Sequence, residues 1–183
     1  MLDTVNLYLD SKGTRITTGT IVDASLSNAP SSTKNATGKR DPEMHQTRKG
    51  QKWYFGAKAH IGVYSKETVV HSVATSAASV ADKHMLPDLL HGAEKKVWGD
   101  AGYQGQTEVI HKAAPEAQDM TSRRARFKNY VDEEARRKNT TKARVRSKVE
   151  HPFRILKRIF GFTKVATGAF GRIISGCAQH SRW

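Results

Sequence analysis

Three acidic residues, Asp23, Asp100 and Glu150, have the types and spacing that metal-dependent chemistry would require. Asp23 follows the apolar run TIV, Asp100 follows VWG, and Glu150 lies in the very basic stretch RVRSKVEHPFRILKR. Carboxylates isolated among cations are what a Mg²⁺-dependent enzyme acting on a polyanion needs. Two Mg²⁺ ions can activate a water or a 3′-hydroxyl and stabilise the leaving oxygen of a phosphodiester. The three residues therefore predict phosphodiester chemistry, provided that the fold brings them together.

Each acid has a simpler interpretation when it is considered alone. An aspartate after a strand is often a turn or capping residue, and a glutamate on a basic helix often makes a surface ion pair. The catalytic interpretation depends on all three side chains meeting, which the sequence does not show.

The charge of the chain favours nucleic acid as the partner. The formal net charge is +14, and Lys and Arg neutralise phosphates and release counterions on binding. Residues 123–172 alone hold 16 Lys or Arg against four Asp or Glu. A generally basic surface, or a solvated helical face, is the alternative interpretation of this charge.

The apolar pattern predicts a mixed α/β fold. β-branched and apolar runs predict strands over residues 16–24, 53–64, 68–75 and 95–99, and residues 79–90 are predicted to be helical with an interruption at Pro87. The first three strands could form an antiparallel sheet, and the strand at 95–99, reached after a crossover, is expected to lie parallel to a neighbour. Asp23 and Asp100 are then placed at strand ends, and residues 25–52 are predicted to be a long loop.

A helix is predicted over residues 140–160, with Thr140 or Thr141 as its cap. An apolar stripe falls within an arc of about 80° and faces the core; its members are Val145, Val149, Phe153, Leu156 and Phe160. Arg146, Glu150 and Lys157 lie within about 40° of one another on the adjoining arc. Pro152 is expected to kink the helix near Glu150.

Length and composition indicate a soluble intracellular protein with one main domain. The single cysteine excludes an intramolecular disulfide, and no apolar run approaches the roughly 20 residues that span a bilayer. Residues 1–18 are predicted to begin with a short amphipathic helix, without the basic start and apolar core of a signal peptide.

Four segments together resemble a known family, the DDE transposases of bacterial insertion sequences, in the group of the fourth and fifth insertion-sequence families. The likeness covers roughly residues 19–168, and the segments are GTIVDAS, RDPEMHQTRKGQKWYFGAKAHIG, WGDAGYQG and RSKVEHPFRILKRIFG. The resemblance implies a ribonuclease H-like α/β domain, a mixed sheet flanked by helices, that cuts and rejoins transposon DNA.

The resemblance also implies roles for individual residues. Asp23, Asp100 and Glu150 would be the catalytic residues that hold Mg²⁺ or Mn²⁺, as two ions. The family signature around the glutamate contains a Tyr, an Arg and a Lys. Arg146 and Lys157 match it and would engage transposon-end DNA, whereas the Tyr position holds Ala143. The neighbouring cations Lys148 and Arg154 are also assigned to DNA.

The resemblance leads to three domain predictions: a short helical remnant at 1–18, a ribonuclease H-like catalytic domain at 19–168, and an atypical tail at 169–183. Only 22 residues precede Asp23, which predicts a truncated copy of a transposase. The expected partners are transposon-end and target DNA, with a homodimer in a synaptic complex, in the cytoplasm of a bacterium near its nucleoid. The alternatives are a non-catalytic DNA-binding remnant of a transposase and an unstable relic.

Overall fold

The computed structural model describes residues 4, 7, 8, 11–13, 19–31, 33 and 38–159. Within these residues one sheet contains six strands: β1 (Thr20–Asn28), β2 (His45–Lys49), β3 (Lys52–Tyr64), β4 (Val70–Ala77), β5 (Lys96–Trp98) and β6 (Gln118–Asp119). The helices are α1 (Thr107–Ala113), α2 (Glu133–Arg146) and α3 (Glu150–Arg158), with short 3₁₀ helices at Asp82–Met85, Pro87–Leu89, Ala101–Tyr103 and Ser147–Val149.

The sheet is mixed, as the sequence predicts. Its strand order is β2-β3-β1-β5-β6, and β4 also pairs with β3. β1, β3 and β4 form the predicted antiparallel unit, and β5 lies parallel to β1. The prediction of an α/β fold with a mixed sheet and flanking helices is confirmed.

Apolar side chains pack on both faces of the sheet. Because side chains alternate along a strand, Ile21 and Val22 of β1 point to opposite faces. Ile21 packs with a cluster that includes Val149 and Phe153 from the helical segment around Glu150. Val22 packs with a second cluster that includes Tyr103 and the helix α1. β1 is therefore anchored on both faces, which fixes the position of Asp23.

Two predicted boundaries in the first third of the chain are wrong. β1 continues to Asn28, so Asp23 lies in the middle of the strand and not near its end. The predicted loop at 25–52 contains the end of β1 and the whole of β2. β2 escapes prediction because it is mostly exposed and polar, and its backbone pairs with the part of β3 that extends beyond β1.

The helical predictions need two corrections. Residues 79–90 contain two 3₁₀ helices, the second of which begins at Pro87, and no α-helix. The long helix begins at Glu133 and not at Thr140, because the Asp132 side chain accepts a hydrogen bond from the Ala135 N–H at 2.9 Å and caps it. Its first ten residues have no buried side chain, so no apolar stripe indicates them.

The apolar stripe itself is confirmed for four of its members. Val149 and Phe153 are buried, and Val145 and Leu156 pack against the same cluster. Phe160 lies outside the described residues. A 3₁₀ turn at Ser147–Val149 separates α2 from α3, and Pro152 lies in the first turn of α3, where its missing N–H costs no helical hydrogen bond. The chain thus deviates from an α-helix just before Glu150, at the 3₁₀ turn, and the predicted kink caused by Pro152 stays a prediction.

The prediction for the N-terminal helix falls mostly outside the described residues, and the prediction of a tail at 169–183 falls entirely outside them. The division at residues 18 and 168 stays a prediction.

Candidate active site

Asp23 is placed by the unequal lengths of β1 and β5. β5 has three residues and pairs with β1 only at Thr20 and Ile21. After Ile21, no described strand pairs with β1 on the edge that faces β5. The half-buried Asp23 follows two residues later, at this unpaired edge. Its carboxylate accepts a hydrogen bond from the Ala24 N–H at 2.8 Å.

Asp100 is placed by the turn that follows β5. It is the N-cap residue of the 3₁₀ helix Ala101–Tyr103, and its Oδ1 accepts a hydrogen bond from the Gly102 N–H at 2.8 Å. Since β5 is parallel to β1 and ends beside it, Asp100 lies at the edge where Asp23 is open.

Glu150 is placed by the packing of the residues around it. Val149 and Phe153 are buried against Ile21 and Trp98, which seats the start of α3 on the sheet. Glu150 itself is exposed on the adjoining helical arc.

The three acids line one cavity of about 660 Å³, here called the acidic cavity. Seven cations line it as well: Arg48, Lys49, Lys58, Arg146, Arg154, Lys157 and Arg158. The structure thus brings together three carboxylates from distant parts of the chain and surrounds them with positive charge. A cavity lined by both carboxylates and cations can accept a phosphodiester while keeping oxygen ligands for a divalent cation.

The electrostatics of Asp23 reflect the same arrangement. The pKa of Asp23 is raised to about 6, mainly because the side chain is buried. The hydrogen bond from the Ala24 N–H and the charge of Arg146 act in the opposite direction and lower the pKa. The charges of Asp100 and Glu150 add to the increase. A carboxylate whose pKa is raised by burial and by other acids is typical of a functional site.

Residues 14–170 match the family model described as the transposase DDE domain. The chain belongs to this family. The fold is accordingly a ribonuclease H-like α/β domain, and the family supports a role in DNA transposition, with nuclease or transferase activity in general. No solved structure matches the chain. The assignment to the fourth and fifth insertion-sequence families and the truncation of the transposase stay predictions.

A fourth acid in the cavity of this transposase domain, Asp82, differs from the other three. Its Oδ1 lies 2.9 Å from Nζ of Lys58, which also donates a hydrogen bond to the Val80 carbonyl at 2.8 Å. Within the described part of the chain, Asp23, Asp100 and Glu150 make no ion pair. Asp82 is therefore paired with a cation, whereas the three predicted residues have no ion-pair partner among the described residues. No sequence signal identifies Asp82 or Lys58, because their contact depends on the tertiary fold.

Three of the four cations assigned to DNA lie at the cavity. Arg146, Arg154 and Lys157 line it, whereas Lys148 does not. The Lys148 ammonium donates a hydrogen bond to the Ser65 carbonyl at 2.7 Å.

The β2–β3 hairpin supplies cations that the sequence analysis missed. Arg48 and Lys49 line the cavity from this hairpin. A signal was present, because residues 45–64 contain four Lys or Arg and no Asp or Glu.

The donor set of the acidic cavity fits a hard divalent cation. Its ionisable ligands are carboxylates, without His or Cys in the lining, and oxygen ligands suit Mg²⁺ and Mn²⁺.

Two buried donors in or near the site have no hydrogen-bond partner in the structure. They are the Tyr103 hydroxyl and Nε of Arg146. Burial and then the charges of Asp82, Asp23 and Asp100 raise the pKa of Tyr103, which keeps its proton available for donation.

The acidic side chains lie farther apart than the ligands of a single bound metal ion would. Among the described residues, no three His, Cys, Asp or Glu side chains are close enough to hold one metal ion. The family generally uses divalent metal ions.

No helix among the described residues is long and apolar enough to cross a membrane.

Proposed function

We propose that this chain carries the site for metal-dependent DNA cleavage and strand transfer of a transposase, with Asp23, Asp100 and Glu150 as the catalytic carboxylates. The observation that carries the proposal is their position in one cavity whose other charged residues are almost all cationic. The fourth acid, Asp82, is paired with Lys58, so the unpaired carboxylates are the three that the sequence predicted.

Asp23, Asp100 and Glu150 would hold the divalent cations. Two ions, Mg²⁺ or Mn²⁺, bound at these carboxylates would supply activation of a water or 3′-hydroxyl and stabilisation of the leaving oxygen. The protein contributes the positions of the ligands. Asp100 is oriented by the Gly102 N–H, and Asp23 is held on a strand that packs on both faces of the sheet.

The cations of the cavity would bind the DNA backbone. Arg146, Arg154 and Lys157 line the cavity from the helical side, and Arg48 and Lys49 line it from the β2–β3 hairpin. Phosphate contacts fix the register of a protein on DNA without reading its sequence. A DNA strand that crosses the cavity would be held by the helical cations on one side and by the hairpin cations on the other, with a phosphate next to the carboxylates.

Transposon-end DNA and target DNA are the proposed substrates, and the resemblance adds a homodimer in a synaptic complex to the proposal. A homodimer would hold two transposon ends together, and sedimentation of the chain with and without end DNA tests this directly.

Cleavage and strand transfer are tested with DNA that carries the ends of the element, in Mg²⁺ or Mn²⁺. We expect nicked and joined products from the wild-type chain and none from Asp100→Asn. Equal activity of Asp100→Asn would contradict the assignment. DNA binding without cleavage by the wild-type chain would instead support the non-catalytic alternative.

A further inference from the structure

The Tyr103 hydroxyl and Nδ1 of His60 are buried polar atoms that have no hydrogen-bond partner among the described residues. Both side chains are fully buried, with an exposed fraction of 0%. A polar group that is buried without a partner costs stability, so nearly all such groups in native proteins are paired with protein or with ordered water. The two atoms therefore call for a physical explanation.

The contacts of His60 identify its Nδ1 as a hydrogen-bond acceptor. Burial lowers the pKa of His60 to about 4, so at neutral pH the ring has one N–H and one free lone pair. Nε2 lies 2.8 Å from Oγ of Ser76, and this hydroxyl donates its own hydrogen to the Ala77 carbonyl at 3.2 Å. Ser76 is thus the acceptor for His60, which places the ring proton on Nε2 and the lone pair on Nδ1.

Tyr103 has the complementary group, a donor. Its hydroxyl stays protonated because burial, followed by the charges of nearby acids, raises its pKa. Among those acids Asp82 has the largest effect, and Asp82 is also the charge with the largest effect on the pKa of His60. This is expected of two groups that lie near the same carboxylate.

The strand register places His60 and Tyr103 on the same face of the sheet. His60 lies opposite Ala24 of β1 and Ala74 of β4, and residues that are paired across strands point to the same face. Val22 points to this face as well, because it is two residues before Ala24. Val22 belongs to the cluster that contains Tyr103, and Ala74 packs against that cluster.

One water molecule satisfies both atoms. Since neither atom has a protein partner, no hydrogen bond joins them directly. A water between them would accept the hydrogen of the Tyr103 hydroxyl and donate one of its own to Nδ1 of His60. Buried waters in proteins typically make about three hydrogen bonds, in a range of about two to four, to polar groups that are otherwise unpaired.

Such a link would join the two parts of the chain that carry Asp23 and Asp100. Tyr103 ends the turn that begins at Asp100, and its N–H donates a hydrogen bond to the Asp100 carbonyl at 3.2 Å. His60 lies on β3 opposite Ala24, the residue after Asp23. The link would therefore hold the Asp100 turn at a fixed distance from the middle of β1.

We propose that Tyr103 is a positioning residue whose hydroxyl is hydrogen-bonded through one buried water to Nδ1 of His60, which fixes Asp100 relative to Asp23. The consequence for catalysis rests on the proposed function, in which these carboxylates bind metal. The inference deepens that function by adding two residues that act on the site without lining the acidic cavity.

The first test observes His60 directly, by ¹⁵N NMR of the histidine side chains without metal or DNA. In the wild-type chain, Nδ1 of His60 should resonate as a hydrogen-bonded acceptor. In Tyr103→Phe, which removes only the hydroxyl, it should move towards the position of a free acceptor, while Nε2 stays protonated. Tyr130→Phe is the matched control, because this ring is 60% exposed and outside the cavity, and it should leave His60 unchanged.

The second test measures Mn²⁺ binding without DNA by electron paramagnetic resonance, and nicking in Mg²⁺. Tyr103→Phe should weaken Mn²⁺ binding about tenfold, as is usual when a group that orients a metal ligand is lost. The kcat for nicking should fall by a similar factor while the KM for DNA stays the same, because the cations of the cavity are untouched. Tyr130→Phe should change none of these. A purely structural role for the hydroxyl would change the unfolding temperature and leave Mn²⁺ affinity unaltered.

The inference is overturned if Nδ1 of His60 is unaffected by Tyr103→Phe, or if this variant binds Mn²⁺ as the wild type and Tyr130→Phe do. Nicking by the wild-type chain would leave the proposed function intact in either case. If the wild-type chain does not nick DNA but its Mn²⁺ binding depends on the Tyr103 hydroxyl, the proposed function is contradicted and the positioning role is supported.

Discussion

The Asp100 carboxylate and the Gly102 backbone are in direct contact: Oδ1 of Asp100 accepts the Gly102 N–H at 2.8 Å. A Cβ added at Gly102 would lie only 2.9 Å from the same Oδ1. The backbone turn thus orients the carboxylate and leaves no room for a side chain beside it.

We expect Gly102→Ala to impair catalysis more than stability. The methyl group would displace the Asp100 carboxylate, which is the flexible side of the clash, and small misplacements of a catalytic group are costly. Nicking activity should fall about tenfold or more, while the unfolding temperature changes little. Gly105→Asn is the matched control, because Gly105 has a φ of +77° that Asn tolerates and open space around it. Equal activity of the two variants would show that Asp100 does not need this orientation.

Asp23→Asn should stabilise the metal-free protein at neutral pH. The pKa of Asp23 is raised from 3.8 to about 6, so the folded state binds this proton more tightly than the unfolded state does. The stability gained from protonation is complete below about pH 4 and is lost as the pH rises through about 6. Asparagine does not ionise, so the variant does not lose this stability as the pH rises. Its amide oxygen can still accept the hydrogen bond from the Ala24 N–H.

The expected gain is about 1 to 2 kcal/mol at about pH 7.5, allowing for partial exposure of the side chain. It should shrink towards zero at about pH 4. Denaturant unfolding in EDTA across this range measures it, always relative to the wild type at the same pH. That reference is needed because burial lowers the pKa of His60 to about 4, which destabilises both proteins as the pH falls from about 6.5. A gain that does not vary with pH would contradict the role of ionisation.

Local patterns predicted the strand that carries Asp23 and the strand that precedes Asp100, because apolar, β-branched runs are buried wherever they pair. The end of β1 was not predictable in the same way. It continues to Asn28 because Asn28 pairs with Gly56 of β3, a contact between distant residues that the polar sequence after Asp23 does not indicate. The position of Asp23, Asp100 and Glu150 around one cavity likewise depends on contacts between distant residues.

The start of α2, unlike the end of β1, has a signal in the local sequence. Asp132 followed by Glu133 and Glu134 is a local helix start, with a capping side chain and acids in the first turn. Hydrophobic periodicity misses it because α2 has no buried residue. Where a helix has no fully buried side chain, capping chemistry predicts its boundary better than an apolar stripe does.

Asp82 and Asp100 line the same cavity but should respond differently to replacement by Asn. Asp100→Asn removes a charge proposed to hold a divalent cation, and nicking should fall at least about a hundredfold. Asp82→Asn keeps an oxygen within reach of the Lys58 ammonium, which lies 2.9 Å from Oδ1, and nicking should change less than about threefold.

Both Asn variants are checked for folding by circular dichroism before nicking is assayed in Mg²⁺. A loss with Asp82→Asn as large as that with Asp100→Asn would move Asp82 into the set of proposed metal ligands.

Removing a cation from the acidic cavity should lower the salt dependence of DNA binding. Arg154 and Lys157 line this cavity, and each phosphate that a cation neutralises contributes about −0.9 to the slope of log K against log salt. We expect Arg154→Ala and Lys157→Ala each to make the slope less negative by about 0.9 on any duplex sequence. Arg136→Ala is the control, since Arg136 is exposed on α2 and pairs with Glu133 at 3.2 Å. Titrations of a labelled duplex at several salt concentrations measure the three slopes. If Arg136→Ala changed the slope as much as the cavity variants do, the DNA would lie over the whole basic surface and not across the carboxylates.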